Sequence, residues 1–364
     1  LAGIPAEVLA REFGTPSFFL DEDAYRSRAL AWQNALKSEF GDNAGTIYYA
    51  AKSFICTAVA QWIAEIGIGI DVCTGGELAA ALAGGISPQK IELHGNNKSI
   101  AEIDRAVSVG IKTIVMDSLF EIERVAAAAK KHGVRQAVML RLTPGIEAHT
   151  HEAIATAHED VKFGFSLASG AAWKAIEEIQ ALSSLKLIGL HSHIGSQIFD
   201  AQGFGMAAAR LISLLAKFHE HTGDQLPELD LGGGYGVAYL PGEESVDADA
   251  LISELSRVVT AECAKAGIRV PHISIEPGRA IAAPTTTTLY TVGTTKKIEL
   301  DGGNTRRYIA VDGGFTDNMR PALYDAKYHA LLANRLSTTR DVLSRIVGKH
   351  CESGDIIIRD IDLP

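Results

Sequence analysis

Lys52 closes the apolar run Ile47-Tyr48-Tyr49-Ala50-Ala51, where β-forming residues give way to a helical pattern. An amine at the end of a buried strand can enter a pocket, where desolvation makes its neutral form accessible and permits a Schiff base with a carbonyl. The same position also suits a lysine paired with a carboxylate at a barrel mouth. Two other stretches bear on that choice. Leu231-Gly232-Gly233-Gly234-Tyr235-Gly236 and Glu276-Pro277-Gly278-Arg279 both end apolar runs on glycine, and glycines let backbone N–H groups close on an anion. One triple-glycine tip is equally a tight turn; two tips on neighbouring strands point to a phosphate. If that phosphate belongs to an aldehyde, Lys52 becomes its imine partner and the cofactor is pyridoxal phosphate. Glu276 then stands beside the pyridine nitrogen and keeps it protonated, which makes the ring an electron sink; taken alone it reads equally as a salt-bridged or helix-starting glutamate. His193 offers a flat imidazole to stack on that ring. Two histidines at i and i+2 on a strand face opposite sides unless the strand ends between them. His191 and His193 are therefore poor joint ligands, and no metal is expected.

These residues need elements that place them together. A unit recurs from about residue 47 to 276: a short apolar run, a polar or glycine-rich tip, then an amphipathic stretch. The runs cover residues 47–51, 66–72, 91–94, 113–117, 137–142, 187–192, 228–231 and 273–276. Eight such strands, mostly separated by helical pattern, predict a parallel (β/α)8 TIM barrel rather than an open doubly wound sheet. Helices are expected over residues 118–132, stopping at Gly133, and 207–221, stopping near Gly223. Lys52, Asp71, His94, Asp117, Arg141, His191, His193 and Glu276 all fall at or just past the carboxyl ends of the runs, the face on which such barrels carry their active sites. Polar residues that merely begin loops would account for some of these, though not for the whole set. After Ala280 the texture changes to strands over residues 285–292, 296–300 and 306–311 without alternating helices. A mainly β domain follows the barrel, and residues 16–20 are expected to add a strand to it. The expected division is a barrel over residues 23–280 and a β domain from residues 1–22 and 281–364.

Composition narrows the class. The 364 residues suit a barrel with an appended smaller domain, and 47% hydrophobic with 21% charged residues is ordinary for a globular protein. No apolar stretch is long enough to span a bilayer and no signal segment opens the chain, so a soluble, cytoplasmic protein is expected. Cys56, Cys73, Cys263 and Cys351 form no Cys-x-x-Cys pair, which suggests neither a zinc ribbon nor a disulfide framework. A net charge of -10 without a basic block argues against nucleic acid. Both ends read as incomplete: the chain starts at Leu1 and stops at Pro364 in a strand-and-turn pattern.

The motifs Tyr49-Ala50-Ala51-Lys52, His193-Ile194-Gly195-Ser196-Gln197, Gly232-Gly233-Gly234, Glu276-Pro277-Gly278-Arg279, Arg320-Pro321-Ala322-Leu323-Tyr324 and Cys351-Glu352-Ser353-Gly354-Asp355 occur in this order. Together they resemble the diaminopimelate decarboxylase family of alanine-racemase-like pyridoxal-phosphate enzymes, a barrel plus a β domain, over nearly the whole chain. The resemblance implies that Lys52 carries the cofactor, that His193 stacks on its ring and that Glu276 meets the pyridine nitrogen. It places Gly233, Gly234, Ser196 and Glu276 through Gly278 to Arg279 around the phosphate, with Asp71 and His94 near the cofactor. Arg279, Arg320, Tyr324 and Glu352 match the residues that hold substrate. Cys351 matches a proton donor supplied across the interface of a homodimer with a shared active site; without the resemblance it reads as an inert thiol. A further family tyrosine, in a Gly-Ala-Tyr motif, would lie beyond Pro364, so a longer native chain is expected.

Physical chemistry agrees with those roles. A substrate with an amino acid head at each end needs cations for the distal carboxylate and an anion for the distal ammonium, which Arg279, Arg320 and Glu352 supply. Loss of carbon dioxide leaves a carbanion that a cysteine can protonate. The implied reaction is decarboxylation of meso-2,6-diaminopimelate to L-lysine, the last step of bacterial lysine biosynthesis. Related decarboxylases of arginine, ornithine or carboxynorspermidine would need other charges at the distal site. A non-catalytic barrel homologue would be marked by loss of the lysine, the cysteine or the glycines, and a racemase would lack the Cys-Glu-Ser-Gly-Asp motif.

Overall fold

The structure, a computed structural model, describes residues 1–41, 45–146, 162–337, 339 and 342–364. Helix α1 (Ala6–Phe13) and strand β1 (Ser17–Leu20) precede α2 (Glu22–Phe40). The chain then alternates through β2 (Gly45–Ala50), α3 (Thr57–Ile66), β3 (Gly69–Val72), α4 (Gly75–Ala83), β4 (Ile91–Leu93), α5 (Ile100–Val109), β5 (Thr113–Met116) and α6 (Leu119–Lys131). It continues with β6 (Gln136–Thr143), β7 (Phe165–Ser166), α7 (Ala171–Gln180), β8 (Leu185–His191), α8 (Gln202–Thr222), β9 (Glu228–Asp230), α9 (Ala248–Ala266) and β10 (His272–Ile275). After the short α10 (Arg279–Ala282) come β11 (Thr286–Leu289), β12 (Val292–Glu299), β13 (Thr305–Val311), α11 (Arg320–Tyr324), β14 (Val342–Val347) and β15 (Ile356–Leu363).

Eight of these strands, β2, β3, β4, β5, β6, β8, β9 and β10, pair in parallel in that order, and β10 pairs with β2 to close a barrel. Closure explains the near-continuous apolar runs, because helices cover the outside while side chains fill the inside. Residues such as Ile70, Ile91, Leu93, Ile114, Leu140, Leu190 and Leu229 are wholly buried. The run over residues 66–72 divides differently from the expectation. Ile66 ends α3, Gly67 terminates that helix in the left-handed region at φ 82°, and the strand begins only at Gly69. An unbroken apolar run cannot mark that junction by itself; the glycine does.

The chain separates into two compact units. Residues 25–237 and 245–283 form the barrel unit; residues 1–24, 238–244 and 284–364 form the other. In the second unit β12, β13, β14 and β15 form a four-stranded sheet in that order, antiparallel except for the parallel β13–β14 pair. Its core is Ile309, Val311, Ile346, Ile357, Ile358 and Leu363. β1 pairs with β11 in a separate two-stranded sheet, from Ser17 opposite Leu289 to Leu20 opposite Thr286. The amino-terminal strand thus joins the second unit, but not its main sheet. No helix among the described residues is long and apolar enough to cross a membrane.

Candidate active site

The carboxyl ends of the barrel strands surround a cavity of about 320 Å³ lined by Lys52, Asp71, Cys73, His94, Arg141, His191, His193 and Glu276, with Gly95, Asn96, Asn97, Lys162 and Phe163. Each strand delivers its residue by ending where it does. β3 carries Asp71 opposite Ala50 of β2, and the one-turn helix over Ala51–Ser53 that follows β2 carries Lys52. Lys52 lines the cavity but is exposed. β2 ends at Ala50, and the turn carries the lysine beyond the buried strand. His191 is the last residue of β8. The opposite-face rule therefore stops applying there, and His191 and His193 line the same cavity.

Buried carboxylates and imidazoles crowd the floor of this space. His191 Nε2 lies 3.0 Å and His94 Nε2 3.4 Å from Glu276 Oε1, and the two imidazole rings meet edge to face at 4.9 Å. Burial opposes ionisation of Glu276, but His94 and His191 while they carry a proton, the close His191 contact and Lys52 outweigh it and hold the carboxyl well below the usual range; once the imidazoles are neutral, the His191 contact and Lys52 carry that effect. Burial dominates at the imidazoles and pushes His94, His191 and His193 below their ordinary value, so they are neutral at pH 7. Burial, followed by the negative Glu276, pushes Asp71 well up. The outcome is one ionised carboxylate beside neutral imidazoles. The potential ligand atoms of His94, His191 and Glu276 also lie within 4.8 Å of one another, a grouping that the i, i+2 spacing of His191 and His193 does not reveal.

The glycine tips close beside this cluster. A Cβ on Gly234 would lie 2.1 Å from the Gly195 carbonyl oxygen, and one on Gly233 2.1 Å from that of Glu276. Glycine is what lets these tips approach so closely. Arg279 Nη2 donates to Ser196 Oγ at 3.1 Å, which ties the tip after β10 to the tip after β8. The Gly233 N–H donates to His193 Nδ1 at 3.2 Å, so a neutral His193 carries its proton on Nε2 and its ring is held in place.

The residues present fit pyridoxal phosphate. Both carboxylate oxygens of Asp71 and Nδ1 of His191 are buried without a hydrogen-bond partner among the described residues. Orphaned buried groups are costly and call for a polar occupant. The structure brings together Lys52, Asp71, His94, His193 and Glu276 around the cavity, and Ser196, Gly234 and Arg279 at the adjoining tips. Gly278 packs against Ala50, where a Cβ would lie 2.7 Å from Ala50 Cβ. Arg320 and Tyr324 begin and end α11 in the second unit, the Arg320 guanidinium 5.4 Å from the Tyr324 ring centre. Cys351 and Glu352 are exposed on the turn between β14 and β15 of that unit. Cys73, Asn96, Asn97, Lys162 and Phe163 line the cavity without having been singled out. Arg141 and His191, which the sequence places at strand ends without a role, line it as well.

Comparison with known proteins bears on this geometry. The family described as pyridoxal-dependent decarboxylase, pyridoxal binding domain, matches residues 23–283. The chain is 50% identical to diaminopimelate decarboxylase of Mycobacterium tuberculosis, over all of this chain and 81% of that protein. It is 41% identical to that of Bacillus subtilis, over all of this chain and 82% of that protein. Among solved structures, diaminopimelate decarboxylase from Helicobacter pylori complexed with L-lysine superposes with a TM-score of 0.87 at 28% identity, covering 99% of this chain and 85% of that one.

Proposed function

The chain belongs to the diaminopimelate decarboxylase family of pyridoxal-dependent decarboxylases, and from that premise we propose that it converts meso-2,6-diaminopimelate to L-lysine and carbon dioxide. The observation that carries this reading is that Lys52 and Glu276 line one cavity at the carboxyl ends of the barrel strands. Bound pyridoxal phosphate supplies an electron-accepting ring for the electrons left at the α-carbon when carbon dioxide departs. Lys52 is the residue that would hold the cofactor covalently. Glu276, kept ionised, is the carboxylate suited to hold a proton on the pyridine nitrogen. His193, with its ring fixed by Gly233, offers its face to the cofactor. Ser196, Gly233, Gly234, Gly278 and Arg279 form the phosphate end, and Asp71 and His94 complete the wall.

For the substrate, Arg279 and Arg320 suit the distal carboxylate, Glu352 the distal ammonium, and Tyr324 the wall beside them. Cys351 is the acid that returns a proton to the α-carbon. The functional form in this reading is a cytoplasmic homodimer in which one copy's Cys351 serves the other's Lys52. The test is carbon dioxide release from meso-diaminopimelate, arginine, ornithine and carboxynorspermidine with pyridoxal phosphate supplied. Release from diaminopimelate alone, with L-lysine formed, is expected; release from another substrate would move the chain to a sister activity. In parallel, Lys52→Ala is expected to lose borohydride-reducible attachment of the cofactor, and retention of that attachment would overturn the assignment of Lys52.

A further inference from the structure

Cys351 and Glu352 sit on the turn that joins β14 to β15, and the four residues from Cys351 to Gly354 are all exposed. An exposed tip has little apolar packing to hold it, so its conformation must come from hydrogen bonds. Three of them converge on one carboxylate. Asp355 is only 3% exposed. Its Oδ1 accepts the Phe315 N–H at 2.7 Å, while its Oδ2 accepts the His350 N–H at 2.9 Å and meets His350 Nδ1 at 2.7 Å. Backbone bonds close the turn: Gly348 N–H donates to the Asp355 carbonyl, and Asp355 N–H to that of Glu352, both at 3.0 Å.

The loop after β13 completes the enclosure. Lys349 N–H donates to the Gly313 carbonyl at 3.0 Å. The Phe315 ring centre lies 4.7 Å from that of His350, and Thr316 Oγ1 lies 3.1 Å from His350 Nε2. A Cβ on Gly314 or Gly348 would come within 2.6 or 2.2 Å of the Asp355 oxygens, so both glycines make room for the carboxylate. His350 immediately precedes Cys351. One oxygen binds both its backbone N–H and its ring, which fixes the residue from which the chain proceeds to the thiol.

We propose that Asp355 and His350 are positioning residues that hold the Cys351 thiol in its working geometry. The proposal rests on the reading of Cys351 as the proton donor. Misplacing a reacting group by about 1 Å can cost on the order of a hundredfold in rate, so loosening the tip should reach kcat even though neither residue touches substrate. His350 is partly exposed and replaceable without emptying the sheet core, whereas Asp355→Asn sets an amide against backbone N–H donors and tests the carboxylate itself.

The test uses the holoenzyme of the full chain with His350→Phe, His350→Asn, Cys351→Ala and the Cys351→Ala/His350→Phe pair. His350→Phe is expected to lower kcat about tenfold with unchanged cofactor binding, and to speed amide exchange across residues 348–355. His350→Asn, which keeps an N–H donor near the Nδ1 position, should restore most of kcat. In the Cys351→Ala background the His350 change should cost less than about twofold, since it acts through the missing thiol. Unaltered kcat or amide exchange in His350→Phe, no rescue by asparagine, or an equal loss in both backgrounds would overturn the proposal. If Cys351→Ala alone keeps parent kcat, the proton-donor reading fails first; a slow Cys351→Ala beside a normal His350→Phe sinks only the positioning role.

Discussion

Glu276 shares the barrel interior with other buried carboxyls, Asp71, Glu92 and Asp230 among the described residues, and they cannot all ionise in so small a volume. Burial pushes Asp71 and Asp230 well up, with Glu276 as the next cause for each. Burial also takes Glu92 up to about 8, with Glu228 and Glu276 adding to it and Lys112 opposing it. Glu92 is wholly buried, 3.8 Å from His94 Nε2 and 3.7 Å from Lys112 Nζ, and neither of its oxygens has a hydrogen-bond partner among the described residues. A folded-state pKa raised above the unfolded value means that Glu92 contributes stability at acid pH and that this is lost as pH rises through about 8. Glu92→Gln keeps the shape and removes the titration. Its Tm relative to the parent chain should therefore rise by about 3 °C or more between roughly pH 5 and pH 9, taking about 2–4 °C per kcal/mol. A difference that stays flat in thermal scans across that range would mean that Lys112 keeps Glu92 ionised throughout.

Lys98 is 3% exposed and donates to the Gly95 and Val115 carbonyls at 2.7 and 2.6 Å and to Glu121 Oε1 at 2.7 Å. Glu121 Oε2 in turn accepts the Asp117 N–H at 2.7 Å. One ammonium thus ties the tip after β4 to the end of β5 and the first turn of α6. Lys98→Met should cost about 3–5 kcal/mol in urea unfolding, because Glu121 is left buried without its partner, and Lys98→Met/Glu121→Leu should recover part of that loss. Additive losses would show that the pair is not coupled. The eight barrel strands were legible because closure makes each a buried apolar run, and the pocket-facing residues were legible because they follow those runs. The tips themselves were not. Cys73, Asn96 and Asn97 reach the cavity because capping boxes at Thr74–Glu77 and Ser99–Glu102 turn the chain directly into α4 and α5. Both boxes stand in the sequence as Thr-x-x-Glu and Ser-x-x-Glu, a signal that locates the helix start and so the end of each tip. The parallel pairing of β13 with β14 had no such local mark, since it joins strands separated by α11 and its flanking loops.

At the scale of the whole molecule, the proposed residues divide between two units. Lys52, Asp71, His94, His193, Ser196, Gly233, Gly234, Glu276, Gly278 and Arg279 belong to the barrel unit, and Arg320, Tyr324, Cys351 and Glu352 to the other. If the proposed roles hold, residues of both units serve one reaction, from one chain or from two. Two-fold symmetry would make a shared arrangement reciprocal, each copy giving its Cys351 to the other and receiving one in return. Mixing separates the two possibilities. Lys52→Ala destroys the cofactor side of a chain and Cys351→Ala its proton-donor side, so neither homodimer turns over normally. After random exchange of subunits, about half the dimers are mixed, and in a shared arrangement each mixed dimer regains one intact site, about a quarter of parent activity overall. If each site is built within one chain, every site in the mixture still carries one defect and activity stays at the mean of the two variants. Recovery that grows with the time allowed for exchange, and is absent when the variants are assayed at once after mixing, would establish that the thiol comes from the partner subunit.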